Sequence, residues 1–306
     1  MTALEPRPVD RLLGIYALAS GAALLFPHRP AAWPVLALLH LGVAAFALGP
    51  CIFARGTRAF HRRYPVLADW LPLLLVPALY LELAVLNRAV HGGHYFDAIV
   101  QAWEQRIFGT QPSIAFSDRL PYLPLSEALH TAYISYYAII YVPPLLLWLA
   151  GRHEEFRRGV FALMLAFFAH YICFIYFPVQ GPRYLFPAPD GVIATGPVYG
   201  FAHRVLEVGS ARGAAFPSSH VGVAVAQTLF MARAIPLLGP VLAILAAGLA
   251  LGAVYGTFHY AIDVLAGFAL GTVAAAAAPP LRRRLGVARG AQSRPRPGSS
   301  VGTGFR

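Results

Sequence analysis

Three short stretches hold residue types that could do chemistry together: Gly181-Pro182-Arg183-Tyr184, Phe216-Pro217-Ser218-Ser219-His220 and His259-Tyr260-Ala261-Ile262-Asp263. In the second, proline suits the first turn of a helix, where its missing N–H would be unpaired anyway. The free N–H groups of Ser218, Ser219 and His220 then point out of the helix end. With the helix dipole they form a site for an anion such as phosphate. The serine hydroxyls add donors, and His220 in the same turn can reach a leaving-group oxygen. In the third stretch His259 and Asp263 are four residues apart, so a helix places them on one face, one turn apart. A carboxylate bonded to one ring nitrogen fixes the tautomer and leaves the other nitrogen bare, and a bare imidazole nitrogen is a nucleophile. Arg183 supplies a fixed fork of donors suited to phosphate. Gly267 and Gly271 continue the Asp263 stripe at i, i+4 spacing, so this helix can approach a neighbour closely and carry His259 towards His220.

Each stretch alone has a plainer account: a helix cap, a packing pair, a loop. Their placement weighs against that, and it follows from the elements that must carry them. Hydrophobic residues make up 58% of the 306 and charged residues 12%, where a soluble domain has roughly a quarter charged. Mean hydropathy is +0.60. A water-soluble enzyme, a disordered chain, collagen and a disulfide scaffold are excluded. The net charge of +11 comes from 24 arginines and no lysine. These arginines sit between long apolar runs, which argues against nucleic acid as a partner and for a membrane. Eight runs, at 12–27, 33–50, 66–87, 128–150, 159–178, 217–234, 237–255 and 260–278, approach the length of about 20 residues that a transmembrane helix needs. The first also reads as a signal peptide, but no small-residue cleavage site follows it at the right distance. With both termini cytoplasmic, the inner segments hold 17 of the 24 arginines and the outer ones seven, as the positive-inside rule requires. All three chemical stretches then emerge on the outer side, on a criterion that never used them.

The expected fold is therefore all-α: a polytopic transmembrane bundle of about eight spans, in the inner membrane of a bacterium, forming a single domain over 1–278. The tail, 279–306, is rich in Arg, Pro, Gly and Ser and is expected to be disordered on the cytoplasmic side. In the outer segment 88–127, Phe96, Ile99, Val100, Trp103 and Ile107 form one apolar stripe that Gly109 ends, which predicts an extracytoplasmic helix lying in the membrane interface. His91, His94 and Asp97 permit a metal reading, but solvated histidines around a Gly-Gly turn explain them more simply, and no metal is assigned. Glu82 and His170 are ionisable groups inside apolar runs, best read as polar contacts locking helices. His130, near an outer helix mouth, is placed among the residues lining the site with Tyr184 and Tyr260. Tyr133, Tyr136, Tyr137 and Tyr141 read as interface anchors and packing. Cys51 and Cys173 read as small packing residues rather than a disulfide.

These motifs resemble the type 2 phosphatidic acid phosphatase superfamily of membrane lipid phosphatases and phosphotransferases, whose patterns are Lys-x6-Arg-Pro, Pro-Ser-Gly-His and Ser-Arg-x5-His-x3-Asp. Pro217-Ser218-Ser219-His220 matches the second, His259 and Asp263 match the third, and Arg183 best matches the arginine of the first. Three departures stand out. The first motif's lysine is missing, Tyr184 replaces its proline, and Gly252-Ala253 stand where the third has Ser-Arg. Arg212, eight residues before His220, is a candidate replacement for a lost cation. Phe108-Gly109-Thr110-Gln111-Pro112-Ser113 and the outer amphipathic segment look similar to the inositol-phosphorylceramide synthase branch, which connects the chain to phospholipid and sphingolipid metabolism. The resemblance covers roughly 95–275. It implies a phosphohistidine route without metal or other cofactor: His259 attacks a lipid phosphate, Asp263 orients it, His220 protonates the leaving oxygen, and Arg183, Arg212, Ser218 and Ser219 hold the phosphate. Water or an alcohol, such as inositol or a lipid alcohol, then releases it. A transporter using the same polar groups, and an inactive scaffold, are the competing readings. The absence of an internal repeat and the retained His-His-Asp set weigh against them.

Overall fold

The computed structural model describes residues 7–48 and 52–286. In chain order its helices are α1 (Pro8–Gly21, prolonged by a 3-10 turn to Leu25), α2 (Trp33–Leu48), α3 (Ile52–Arg63), α4 (Pro65–His91), α5 (Asp97–Phe108), α6 (Pro112–Arg119), α7 (Leu123–Ile134), α8 (Tyr136–Leu149), α9 (His153–Tyr176), α10 (Pro197–Gly209), α11 (Ser219–Ala234), α12 (Leu238–Tyr255) and α13 (Ala261–Gly286). Among the described residues the one β feature is a lone bridge between Val179 and Ala214. Five helices are long and apolar enough to cross a membrane: α1 with its turn, α4, α9, α12 and α13. The bent pair α7 and α8 adds a sixth. The chain is an integral, multi-pass membrane protein. The run expected as one helix over 128–150 is broken by 44° between α7 and α8. Ser135 sits at the break with its hydroxyl turned back to the Ala132 carbonyl, 2.6 Å away, competing with the backbone for that acceptor. Two of the eight expected runs form α2 and α11, each of 16 residues, short of the length a span ordinarily takes.

Helix α9 is the axis of the bundle. It is apolar on every side, which suits a helix enclosed by others, and Phe156, Phe161, Phe167, Tyr171 and Phe174 on it are all buried. Helices α1, α4, α8, α11 and α13 pack around it. At one end of this bundle Arg7 and Arg157 both bind the buried Asp69, at 2.7 and 3.0 Å. At the other end the short helix α5 packs on the start of α13, α6 on α12 and α10 on α7. Helix α13 continues through Pro279 and Pro280 to Gly286, so residues 279–286 of the expected tail are helical. The remainder of that tail, and Cys51, lie outside the described residues. Cys173, on α9, is free.

Candidate active site

Helices α11 and α13 run parallel in direct backbone contact. A Cβ at Gly267 would collide with the Ser218 carbonyl, and one at Gly271 with the Gly222 carbonyl. Glycine is therefore required at both positions on steric grounds, as the small-residue stripe implied. The contact is sealed at the mouth by the Ser218 N–H, which donates to the Asp263 carbonyl over 2.9 Å. This corrects the expected helix start. Pro217 precedes the helix, Ser218 is its N-cap with its hydroxyl accepting from the Val221 N–H, and the Ser218 N–H is already engaged. The Ser219 and His220 N–H groups remain at the first turn, where no intrahelical acceptor exists.

That crossing brings the two imidazoles together. His259 Nε2 lies 3.4 Å from His220 Nδ1. On its far side, His259 Nδ1 lies 3.4 Å from Asp263 Oδ2. The same oxygen accepts the Tyr260 N–H at 2.9 Å, so the imidazole contact is the longer of the two, and Asp263 Oδ1 is buried with no partner. His220 Nε2 is 3.3 Å from the Tyr133 hydroxyl. Tyr133 and Tyr136 both lay their rings against the His220 ring, with centroids 5.0 and 4.3 Å away. These two tyrosines, read from sequence as anchors and packing, are thus walls of the histidine pair. His259 sits in the loop before α13, and burial pushes its imidazole down to about 4, with the Ala215 carbonyl beside it acting weakly the other way. At neutral pH its ring is uncharged, the form that carries a free lone pair.

Arg183 and Arg212 are far apart in sequence and adjacent in space. The Val179–Ala214 bridge joins their loops, with the Ala215 N–H donating to the Val179 carbonyl over 2.9 Å. The two guanidiniums flank the Tyr184 ring, 5.0 and 5.1 Å from its centroid. Arg183 donates to the Leu206 carbonyl at 3.1 Å and to Ser210 Oγ at 3.0 Å, and the Tyr184 hydroxyl meets Ser210 at 2.8 Å. Gly181 opens this loop at φ +94, and a Cβ there would stand 3.0 Å from Ala215 and 3.4 Å from the Phe258 carbonyl. The arginine loop therefore abuts the residue before His259. At 252–253, where the resembled motif has Ser-Arg, a Cβ at Gly252 would strike the Leu129 carbonyl and Ala253 is fully buried.

Helix α5 carries residues that sequence reasoning missed. Its apolar stripe is split: Ile99, Trp103 and Ile107 are exposed, while Val100 is fully buried. The opposite face, Asp97, Gln101 and Glu104, turns inward. Asp97 accepts the Gln180 and Gly181 N–H groups at 3.0 and 2.9 Å, and the Tyr260 hydroxyl at 3.2 Å. Gln101 donates to the same hydroxyl at 2.9 Å. Glu104 accepts the Ala261 N–H at the start of α13, while its Oε2 is buried without a partner. Burial, aided by the nearby Asp263, pushes the Glu104 carboxyl up to about 7, against the opposing Ala261 N–H. One helix thus holds both the arginine loop and the histidine loop. The signal was present in the i, i+4, i+7 spacing, but a polar face is ordinarily a wet one.

Tyr260 is fully buried and engaged with α5, so it supports the site rather than lining it. His130 is also set back. Its Nδ1 lies 2.7 Å from the Ser126 carbonyl, and its ring meets Phe258, which in turn meets Tyr133. Glu82 faces His40 at 3.6 Å; His170 instead lies beneath Gly222 of α11. His91 contacts the Tyr176 carbonyl at 3.1 Å, and both it and His94 set their rings edge-on to Phe96. Among the described residues no cluster of three or more His, Cys, Asp or Glu side chains is arranged to hold a metal ion.

Paired imidazoles, backed by a buried carboxylate and neighboured by arginines, thus stand together at one mouth of a bundle of apolar spans. The PAP2 superfamily pattern matches residues 98–277, well over half of the chain, and the chain belongs to that superfamily. No curated protein and no solved structure matches it. Membership together with the membrane-spanning helices points to an enzyme of the lipid-phosphatase type.

Proposed function

We propose that this protein cleaves the phosphate ester of a membrane lipid through a phosphohistidine, at the histidine mouth of the bundle. The reading is carried by the Asp263–His259–His220 alignment, with contacts of 3.4 Å on both sides of the His259 ring. The phosphoryl group enters between the two imidazoles. The His259 Nε2 lone pair forms the N–P bond as the P–O bond to the leaving group breaks, and His220 gives its proton to the departing oxygen. Asp263 stabilises the imidazolium character that develops on His259. The Ser219 and His220 N–H groups, the Ser219 hydroxyl, Arg183 and Arg212 meet the phosphoryl oxygens, where charge concentrates. In the second step an incoming hydroxyl gives its proton to His220, attacks phosphorus and releases His259. The acceptor is water or an alcohol such as inositol or a lipid alcohol. The resemblance at 108–113 and the displacement of the third motif's arginine favour transfer within phospholipid or sphingolipid metabolism.

We place the mouth on the extracytoplasmic side of a bacterial inner membrane, with both termini inside, on the distribution of arginines. In this arrangement α2 and α11 complete eight spans, and α5 rests in the interface with Ile99, Trp103 and Ile107 towards lipid. The test presents the purified protein with a panel of lipid phosphates and phosphodiesters, with and without candidate alcohols. Release of inorganic phosphate, or formation of a new phosphodiester, is expected, together with an acid-labile, base-stable phosphoprotein in the wild type that His259→Ala lacks. A phosphoprotein that persists in His259→Ala defeats the mechanism.

A further inference from the structure

The end of the bundle opposite the histidines carries a second feature that the proposed reaction does not use. Helices α11 and α13 start at the site, so their far ends bring Arg233, Arg282 and Arg283 together beside Arg152 and Arg158 from the start of α9. These five arginines and Glu155 rim a cavity of about 510 Å³. Its floor is apolar, made by Phe161, Ala162, Phe230, Ala275 and Ala278. Part of the charge is compensated: Arg152 pairs with Glu155, while Arg158 and Arg282 share Glu154 at 3.2 and 2.9 Å. Arg233 and Arg283 have no carboxylate in ion-pairing range among the described residues, and Arg233 reaches only the Leu229 carbonyl, at 3.1 Å. A strongly cationic rim above a small-residue, phenyl-lined floor matches an amphiphile with an anionic head. Topology needs arginines near this end, but it needs neither a concavity nor an alanine floor beneath them.

We infer that this cavity is a binding site for an anionic phospholipid, its phosphodiester on Arg233 and Arg283 and its acyl chains along Ala275 and Ala278, separate from the catalytic mouth. Basic pockets between transmembrane helices recognise lipid head groups in this way. The shared chemistry is a phosphate anion, and the floor assigns it to a lipid rather than to free phosphate.

The test measures lipid retention by native mass spectrometry on the full-length, delipidated protein in a neutral detergent, using phosphatidylglycerol, phosphatidylcholine and inorganic phosphate as probes. The wild type is expected to retain phosphatidylglycerol about tenfold better than phosphatidylcholine, in line with the attraction of two arginines for an anionic head group. The R233Q/R283Q variant is expected to lose that preference and R233K/R283K to keep it. Ala275→Phe, which fills the floor and leaves the arginines in place, is expected to weaken retention of both lipids. Equal retention of the two lipids by the wild type, an unchanged preference in R233Q/R283Q, full retention in Ala275→Phe, or displacement of phosphatidylglycerol by equimolar inorganic phosphate would each overturn the assignment. None of these outcomes depends on the phosphohistidine reaction.

Discussion

Two buried aspartates, Asp69 and Asp263, sit at opposite ends of this bundle in opposite electrostatic settings. Asp69 is 5% exposed and meets two guanidiniums, Arg7 through Oδ1 and Arg157 through both oxygens. Asp263 is 0% exposed, yet it has no arginine, shares one oxygen between a backbone N–H and an imidazole, and leaves the other unpartnered. Burying a carboxylate costs several kcal/mol unless it is paired, so the first arrangement is a finished structural joint. The second is incomplete, and Glu104, which reaches the start of the same helix, also keeps a buried oxygen without a partner. Incomplete satisfaction is tolerated where charge or a ligand arrives during function. On the proposed reading a phosphoryl group completes the histidine end; the arginine joint at Asp69 is complete already.

The largest effect belongs to the incomplete end. His259→Ala removes the proposed nucleophile and should lower kcat by about 10⁴-fold or more while leaving the thermal midpoint near that of the wild type. Unaltered phosphate release would erase the contrast between the two ends. At the complete end the reverse is expected. Asp69→Ala removes the carboxylate that Arg7 and Arg157 share, leaving Arg7 only Asp10, and should destabilise the fold by about 1–3 kcal/mol, seen as a lower thermal midpoint, with kcat per folded molecule unchanged. A loss of kcat without a loss of stability would mean that Asp69 is not the structural joint its pairing implies.

The third effect tests how the site is assembled. Gly267→Val drives a side chain into the Ser218 carbonyl and must push α13 away from α11. A displacement of about 1 Å is enough to cost about 100-fold in rate, so the variant should lose about two orders of magnitude in kcat. The 3.4 Å histidine contact should open with it, readable as altered imidazole shifts in NMR. Normal turnover in Gly267→Val would show that the helix crossing does not set the geometry.

The glycine stripe was legible in the sequence because it is a periodicity of one helix; the His259–Asp263 pair was nominated by its spacing, but His259 precedes α13, so the loop and not a helical turn brings the two together. The pairing of Arg183 with Arg212 was only half legible. Each could be nominated, but their meeting across Tyr184 depends on the Val179–Ala214 bridge, a contact between separate loops that no local pattern announces. The inward acidic face of α5 was hidden for a different reason. The spacing of Asp97, Gln101 and Glu104 is regular, but regularity does not say whether a polar face meets water or the Ala261 and Gly181 amides. Helix boundaries were misread where hydropathy ran on through a bend, as at Ser135, or through a cap, as at Ser218.

The smallest effect sharpens the comparison by titration. Glu104, like Asp263, is buried with one oxygen unpartnered, and its carboxyl is pushed up to about 7 from an ordinary value near 4.5. The unfolded chain releases this proton near pH 4.5, the folded chain only near 7. Glu104 therefore contributes its full stability below pH 4.5, and that contribution is lost as pH rises through 7. Integrated over the shift, the loss is about 3 kcal/mol. Glu104→Gln keeps an oxygen for the Ala261 N–H and removes the titration. The thermal midpoint of the wild type should fall between pH 5 and pH 8 by more than that of Glu104→Gln, with the two proteins converging at the acid end. His259, whose imidazole is pushed down to about 4, changes stability equally in both proteins over this range and cancels from the difference. Parallel pH slopes for wild type and variant would place the ionised Glu104 among paired carboxylates of the Asp69 kind and remove it from the unfinished set around Asp263.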